Sequence, residues 1–100
     1  MANDKAVPGL SIQADPEAAV GAYSNLVMIS HRREEFVIDF LFVQPQTGPD
    51  GEAVAALRSR IISSPAHMKR VLRALEENVR RFEASFGEID EASDAPSVLQ

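Results

Sequence analysis

The sequence predicts an α+β fold, in which a three-stranded antiparallel sheet is followed by one long C-terminal amphipathic helix and the domain is oligomeric. Three observations support this prediction. Residues 36–43 are apolar at every position but one, as in the central strand of a sheet. Apolar residues then recur at steps of three and four between positions 68 and 86, which is the spacing of one helix face. The chain has 100 residues, the size of a single small domain.

The chain is predicted to consist of one domain between two tails. Residues 1–19 are rich in Ala, Asp, Pro and Gly and show no periodicity, so we predict that they are disordered. Residues 20–90 form the single α+β domain, and residues 91–100 form an acidic tail. The formal net charge of −5 resides mainly in the two ends, because acidic and basic residues nearly balance between positions 20 and 87.

The first two strands are predicted to form a hairpin. Residues 22–30 are rich in β-prone side chains and form the first strand, and the charged residues 31–35 form the turn. Residues 36–43 form the second strand, whose successive side chains point to opposite faces of the sheet. One face then carries Phe36, Ile38, Phe40 and Phe42, and the other carries Val37, Leu41 and Val43 beside Asp39. A single helix covers one face, and we expect a second copy of the protein to cover the other.

A loop and a third strand complete the predicted sheet. Residues 45–51 contain two prolines and two glycines, which are typical of a loop. Residues 54–63 form a third, more polar strand. The start of this strand has an alternative interpretation, in which residues 53–57 form a helical turn.

The register between the second and third strands can be predicted if the loop that joins them is symmetric about residues 48–49. Asp39 then lies opposite Arg58, where opposite charges stabilise an antiparallel pair. The side that faces the helix is predicted to carry Phe36, Ile38, Phe40, Phe42, Leu57 and Ile61, with Phe36 opposite Ile61 and Phe40 opposite Leu57. The other side is predicted to carry Val37, Asp39, Leu41, Val43, Val54, Arg58 and Arg60. A slip by one residue would exchange the two faces.

The C-terminal helix has clear signals at both ends. Ser64 is a predicted N-cap, and Pro65 follows at the first helical position, where its missing N–H has no cost. Gly87 lies where a helix-ending glycine belongs. The apolar face between these ends is formed by Met68, Val71, Leu72, Leu75, Val79, Phe82 and Phe86.

Asp39 is the strongest candidate for a chemical role. It is the only charge in the most apolar segment, which is compatible with a general base whose pKa is shifted by burial. The favoured interpretation is an ion pair with Arg58 or Arg60, or a residue at the rim of a subunit contact, because no second catalytic group is recognisable nearby. We therefore predict no catalytic residue. A small enzyme with a site around Asp39 and Tyr23 at a subunit contact ranks last among the function classes.

The other polar residues form no recognised metal or nucleophile motif. His31 and His67 are not spaced as metal ligands, and helix capping explains Ser64. The chain has no cysteine, which excludes disulfides and thiolate metal sites and fits a reducing cytoplasm. No apolar run is long enough for a membrane span, and residues 1–16 lack the apolar core of a signal peptide. We predict no metal, no cofactor, no membrane association and a cytoplasmic location.

Basic residues in the middle of the chain raise the alternative of nucleic-acid binding. They are Arg32, Arg33, Arg58, Arg60, Lys69, Arg70, Arg73, Arg80 and Arg81. Binding would require these residues to converge and exposed aromatic rings to stack on bases. Tyr23 is the only aromatic residue outside the core patterns, and Glu76 and Glu77 lie four residues from helix arginines, as on an ordinary solvated face. Nucleic-acid association is therefore the second choice.

A series of short motifs is distributed along residues 22–89. They are Tyr23-Ser24-Asn25, Glu35-Phe36, Asp39-Phe40, Ser59-Arg60-Ile61, Ser64-Pro65, His67, Lys69-Arg70, Leu72, Leu75, Asn78, Glu83, Phe86-Gly87 and Ile89. In this order they resemble the signature of a small bacterial and archaeal family of unknown function. Residues 46–52 and the tails carry none of the resemblance. The resemblance implies no activity, cofactor or catalytic residue.

The predicted function is a non-enzymatic protein-interaction or assembly module that acts as a homo-oligomer. The expected partner is a second copy of the chain, and another protein is a possible additional partner. The alternative is a nucleic-acid-associated protein that uses an arginine-bearing face of the sheet or helix. The candidate interface residues are Val37, Asp39, Leu41, Val43, Arg58 and Arg60.

Overall fold

The computed structural model describes residues 8–93 and confirms the predicted α+β architecture. Three antiparallel strands are followed by a long C-terminal helix, and the strand order in the sheet is β1-β2-β3. The elements are α1 (Pro16–Val20), β1 (Leu26–Arg32), β2 (Glu35–Thr47), β3 (Ala53–Ser63) and α2 (Pro65–Phe86). Residues 1–7 and 94–100, which belong to the predicted tails, lie outside the described residues.

Helix α1 lies in the segment for which the sequence predicts disorder. Asp15 caps it by accepting a hydrogen bond from the Glu17 N–H at 3.1 Å, and Pro16 occupies its first position. Gly21, at a φ of +89°, ends it. All five residues of α1 are exposed, so this helix adds no packing to the sheet.

Strand β1 is shifted along the chain relative to its prediction. It starts at Leu26 and continues through the first two residues of the predicted turn, so only two residues remain in the hairpin turn. The preceding residues attach to β2 through one backbone hydrogen bond, from the Asn25 N–H to the Leu41 carbonyl at 3.0 Å, and through side chains. The Ser24 hydroxyl donates to the Leu41 carbonyl at 2.8 Å, and the Asn25 side-chain carbonyl accepts from the Val43 N–H at 2.8 Å.

Strand β2 continues to Thr47, so the prediction of a loop at 45–51 is wrong for its first three residues. Pro45 has no N–H to donate, and it lies where the register between β2 and β3 shifts, a position at which proline is tolerated. The turn that follows is closed by a hydrogen bond of 2.9 Å from the Gly51 N–H to the Gly48 carbonyl. Gly51 has a φ of +81°, which glycine adopts at no steric cost.

The predicted register between β2 and β3 is wrong by two residues from Phe36 to Phe40 and by one residue from Leu41 to Val43. The structure pairs Phe36 with Ser63, Ile38 with Ile61, Asp39 with Arg60 and Phe40 with Ser59. Asp39 therefore lies opposite Arg60 and not Arg58. A shift by two residues preserves the alternation of faces, so Ile61 still lies on the side of the sheet that carries Ile38. The assumption of a symmetric loop fails because β2 has extra residues beyond Val43 that have no single partner in β3.

A β-bulge at Arg58 changes the faces of the remainder of β3. Phe40 and Leu41 are consecutive, yet their partners in β3 are two residues apart, which leaves Arg58 unpaired in the ladder. Leu57 pairs with Leu41 and so lies on the side opposite to the one predicted. The same change removes Val54 from the side on which Asp39 lies.

Helix α2 begins and ends as the sequence predicts. The Ser64 hydroxyl oxygen accepts a hydrogen bond from the His67 N–H at 3.2 Å, and Pro65 occupies the first helical position. Gly87 adopts a φ of +99°, and its N–H donates to the Glu83 carbonyl at 2.9 Å. The 22 residues between the caps give a helix about 33 Å long.

The described part of the chain has no hydrophobic core of its own. None of its side chains is buried, whether apolar or polar. Helix α2 contacts the sheet mainly through β2. Its apolar face remains largely open, with 55% of Leu72, 59% of Leu75 and 77% of Phe86 exposed.

Ser64→Ala is expected to lower the free energy of unfolding by about 1 kcal/mol, because the His67 N–H loses its acceptor. Pro65→Ala is the control and should have little effect, since alanine also suits the first helical position. Chemical denaturation of both variants at one protein concentration measures the difference. A Ser64→Ala protein as stable as the wild type would contradict the role of Ser64 as the N-cap.

Candidate functional site

An open apolar groove lies between the sheet and the first half of α2. We call it the α2 groove and define it by Ile29, Phe36, Ile38, Met68, Leu72 and Leu75. Its volume is about 410 Å³, and Lys69 is the one charged residue that lines it. Ile29 pairs with Ile38 across β1 and β2, which places both side chains on the face that α2 approaches. Helix α2 thus lies on the predicted side of the sheet but does not close against it.

The apolar face of α2 continues beyond the α2 groove. Val79 is 45% exposed, Phe82 is 49% exposed and Phe86 is 77% exposed. The rings of Phe82 and Phe86 contact each other, with centroids 4.9 Å apart. Large apolar residues that are exposed together, and not scattered singly, mark interaction sites on protein surfaces.

The opposite side of the sheet, which we call the Asp39 face, carries most of the predicted interface. Val37, Asp39, Leu41 and Val43 alternate along β2 on this side, and Arg60 lies opposite Asp39. The structure therefore brings together five of the six predicted residues. Arg58 is the sixth, and as the bulge residue it has no partner in the β2–β3 ladder.

Three large and exposed apolar residues of the Asp39 face are absent from the predicted interface. Met28 pairs with Asp39, Ile62 with Val37, and Leu57 with Leu41, so all three share this side of the sheet. They are 51%, 57% and 52% exposed, respectively. The position of Ile62 on this face can be predicted from the alternation of side chains along β3. The position of Leu57 cannot be predicted in this way, because no local signal in the sequence marks the bulge that moves Leu57 to this face.

Asp39 and Arg60 form a bidentate ion pair at the centre of the Asp39 face. The Arg60 Nε and Nη2 atoms donate to the two carboxylate oxygens of Asp39 at 2.7 and 2.9 Å. These hydrogen bonds lower the pKa of Asp39 and raise the pKa of Arg60, with a smaller Coulombic contribution in the same direction. A general base that works at neutral pH requires a raised carboxyl pKa, so the geometry supports the ion-pair interpretation of Asp39.

The other candidate residues do not converge on Asp39. The ring of Tyr23 contacts the ring of Phe42 edge-on, with ring centroids 6.1 Å apart. Phe42 lies on the opposite side of the sheet from Asp39. His31 stacks on Phe36 with ring centroids 5.5 Å apart. Within residues 8–93, no group of three or more His, Asp or Glu side chains is placed to hold a metal ion.

Several of the basic residues are paired with carboxylates. Glu77 accepts hydrogen bonds from Arg80 at 2.6 Å and from Arg81 at 2.9 Å, and these bonds lower the pKa of Glu77. Arg81 lies four residues from Glu77, the spacing noted in the sequence, whereas Arg80 lies three residues from it. With Arg60 held by Asp39, three guanidinium groups are already engaged within the chain. Nucleic-acid binding stays a prediction of second rank.

Comparison with known proteins identifies the class to which this small α+β protein belongs. Residues 1–91 match the model of the family described as "Protein of unknown function (DUF3467)", and the chain therefore belongs to that family. This confirms the expected membership in a small family of unknown function, and the match extends to residue 1, beyond the range of the motifs. No curated protein and no solved structure matches the chain. Neither helix in residues 8–93 has the length and apolar character needed to cross a membrane.

Asp39→Asn is expected to destabilise the protein at neutral pH, and the difference from the wild type should vanish in acid. The pKa of Asp39 is lowered in the folded state, so folding favours the ionised form. This contribution is fully present above the ordinary value of 3.8 and is lost as the pH falls through the lower folded-state value. Urea denaturation measures it at neutral pH and at a series of acidic pH values that continues below the folded-state pKa of Asp39.

The matched control for this prediction is Asp50→Asn, which changes an exposed aspartate in the turn between β2 and β3. It should leave the pH dependence of stability close to that of the wild type. Identical pH dependence in the wild type and in Asp39→Asn would contradict the stabilising role of the ion pair.

Proposed function

We propose that this protein is a non-enzymatic interaction module that acts as a homo-oligomer, in which a second copy supplies the core that one chain lacks. The observation that carries the proposal is the absence of any buried side chain in residues 8–93. That absence is unexpected in a chain of which 45% is hydrophobic. The apolar residues are present, but within one copy they have too few partners.

The energetics of folding favour association. Ordering the backbone costs about 1–2 kcal/mol per residue, and the burial of apolar surface is the main term that offsets this cost. Burial contributes roughly 25 cal/mol for each Å² removed from water, so side chains that stay half exposed contribute only part of their potential. A second copy removes more of this surface from water. Obligate homodimers commonly have no stable folded monomer for this reason.

The composition of the two surfaces supports an interaction role. The α2 groove and the apolar residues beyond it present leucine together with phenylalanine and methionine, and the latter two types are enriched at protein interfaces. The Asp39 face presents an apolar surround with one bidentate ion pair in its middle. Such a pair, when it is shielded from water, can specify the orientation of two partners more than it adds to their affinity.

The positions of the two surfaces favour assembly over simple dimerisation. The α2 groove and the Asp39 face lie on opposite sides of the same sheet. A two-fold contact through one of them leaves the other free, either for a further copy of the chain or for another protein. The function is therefore proposed as assembly, with the Asp39 face and the α2 groove as separate contact surfaces.

Light scattering tests the oligomeric state directly. The unmodified protein is expected to have a mass of at least two chains, each of 10.9 kDa. Circular dichroism on the same samples establishes whether the protein is folded. A well-folded, monodisperse monomer over the whole accessible concentration range would overturn the proposed function.

Leu41→Lys is expected to reduce the oligomer mass or to leave the protein insoluble, because it places an unpaired charge in an apolar contact on the Asp39 face. Ala84→Lys is the matched control. It adds the same charge at an exposed position of α2 outside both surfaces and should keep the wild-type mass. A soluble Leu41→Lys protein with the mass and stability of the wild type would exclude the Asp39 face as a contact between copies.

A further inference from the structure

Six apolar residues of α2 follow a heptad spacing, and we call them the α2 seam. They are Met68, Leu72, Leu75, Val79, Phe82 and Phe86, which are separated by alternating steps of four and three. This is the spacing of the a and d positions of a coiled coil, at which two helices pack side chains between one another. The first three residues line the α2 groove, whereas the last three lie outside its lining. In this second half of the seam, Val79 is 45%, Phe82 is 49% and Phe86 is 77% exposed, so much of its apolar surface is open to a further contact.

We propose that α2 pairs with α2 of a second copy in antiparallel orientation, so that Phe82 and Phe86 of each copy occupy the α2 groove of the other. This inference rests on the proposed homo-oligomer and names the contact that holds it. The contact is isologous, because the same groove and the same two phenylalanines are used by both copies.

The seam is complementary to itself only in the antiparallel orientation. Antiparallel pairing sets a positions against d positions, so Met68 meets Phe86, Leu72 meets Phe82, and Leu75 meets Val79 of the other copy. The half of the seam that lines the groove thus meets the half that lies outside it. In a parallel pair, Phe82 and Phe86 would meet their own counterparts at the far end of the helix, and both grooves would stay open.

The charges that flank the seam select the same orientation. Lys69, Glu76 and Glu83 form a row at intervals of seven residues along one edge of the seam. In an antiparallel pair, this row lies against the same row of the other copy, which runs in the opposite direction. Lys69 of each copy therefore meets Glu83 of the other, and two opposite-charge contacts form. Glu76 meets Glu76 at the two-fold axis, which is one like-charge contact. In a parallel pair the row would face the uncharged row Val71, Asn78 and Ser85.

Exchange of charges tests the pairing. Lys69→Glu alone should weaken dimerisation roughly two- to thirty-fold, since two exposed ion pairs of about 0.2–1 kcal/mol each become repulsive. Adding Glu83→Lys should restore the affinity. Glu76→Gln should tighten the dimer, because it removes the like charges at the axis. Analytical ultracentrifugation of the full chain measures the dissociation constants, and circular dichroism confirms that each variant is folded.

The rescue distinguishes a contact between copies from a local effect. Glu83 also accepts a hydrogen bond from the Ile89 N–H at 2.9 Å, so Glu83→Lys alone weakens the end of its own helix. If Lys69 and Glu83 acted independently, the double variant would be worse than either single variant. Recovery in the double variant therefore supports the antiparallel pair. A double variant that is weaker than both single variants would overturn it.

A crosslinking experiment tests the geometry without relying on charge. The chain has no cysteine, so single cysteines can be introduced cleanly. Asn78 lies near the two-fold axis of an antiparallel pair, and Asn78→Cys should be joined to its copy by a short bifunctional thiol reagent. Ser85→Cys is the matched control at the equivalent heptad position, about 24 Å from its own copy along the helices, and should not be joined.

The outcomes separate this inference from the proposed function. A protein that is oligomeric by light scattering, but shows neither charge rescue nor crosslinking at position 78, would overturn the antiparallel α2 pair and leave the homo-oligomer standing. Binding of a fatty-acid probe in the α2 groove of that same protein would make a small apolar ligand the occupant. A folded monomer would overturn both proposals.

Discussion

The apolar character of β2 on both of its faces is the constraint on which the rest of this structure depends. β2 is the central strand, so its backbone is hydrogen-bonded on both edges and its side chains must be covered from both sides. The chain offers one long helix for this purpose. That helix approaches one side without closing against it, and the other side receives no cover from residues 8–93. The shortage of cover explains the exposed apolar residues on the Asp39 face and along α2.

The Asp39–Arg60 ion pair is the polar feature on one of the two apolar faces of β2. A carboxylate on an otherwise apolar side of the central strand requires a partner, and the register of β3 brings the Arg60 guanidinium to it in bidentate geometry. The bulge at Arg58 then places Leu57 on the same side of the sheet. One irregularity in the pairing of β2 with β3 therefore makes the Asp39 face more apolar than a regular hairpin would have done. This composition is the basis on which the Asp39 face is proposed as a contact surface.

The α2 helix has two relations to the rest of the molecule. Its first half lines a groove against the sheet, and its second half carries two phenylalanines that are 49% and 77% exposed. An antiparallel pair of such helices would match each half with the other, and it would use Lys69 and Glu83 as reciprocal partners. The chain belongs to a family described as a protein of unknown function. The α2 groove and the Asp39 face are the features of the molecule that support the proposed assembly.

The sequence by itself determined the elements whose signals are local. The ends of α2 follow from Ser64, Pro65 and Gly87, because helix caps and glycine at positive φ involve only neighbouring residues. The two-sided apolar pattern of β2 follows from the alternation of side chains along a strand. Membership in a family of unknown function was also recognisable from short motifs in the sequence.

Only the tertiary structure decided how these elements fit together. The partner of Asp39, the extension of β2 through Pro45 and the side on which Leu57 lies all depend on pairing between strands that are distant in sequence. Two irregularities, one next to the turn and the bulge at Arg58, together shift the register at Asp39 by two residues, and neither leaves a local mark in the sequence. A hairpin assumed to be symmetric therefore puts Asp39 beside the wrong arginine. Periodicity likewise identified the apolar face of α2. The open groove became visible only in three dimensions, because closure depends on the distance between helix and sheet.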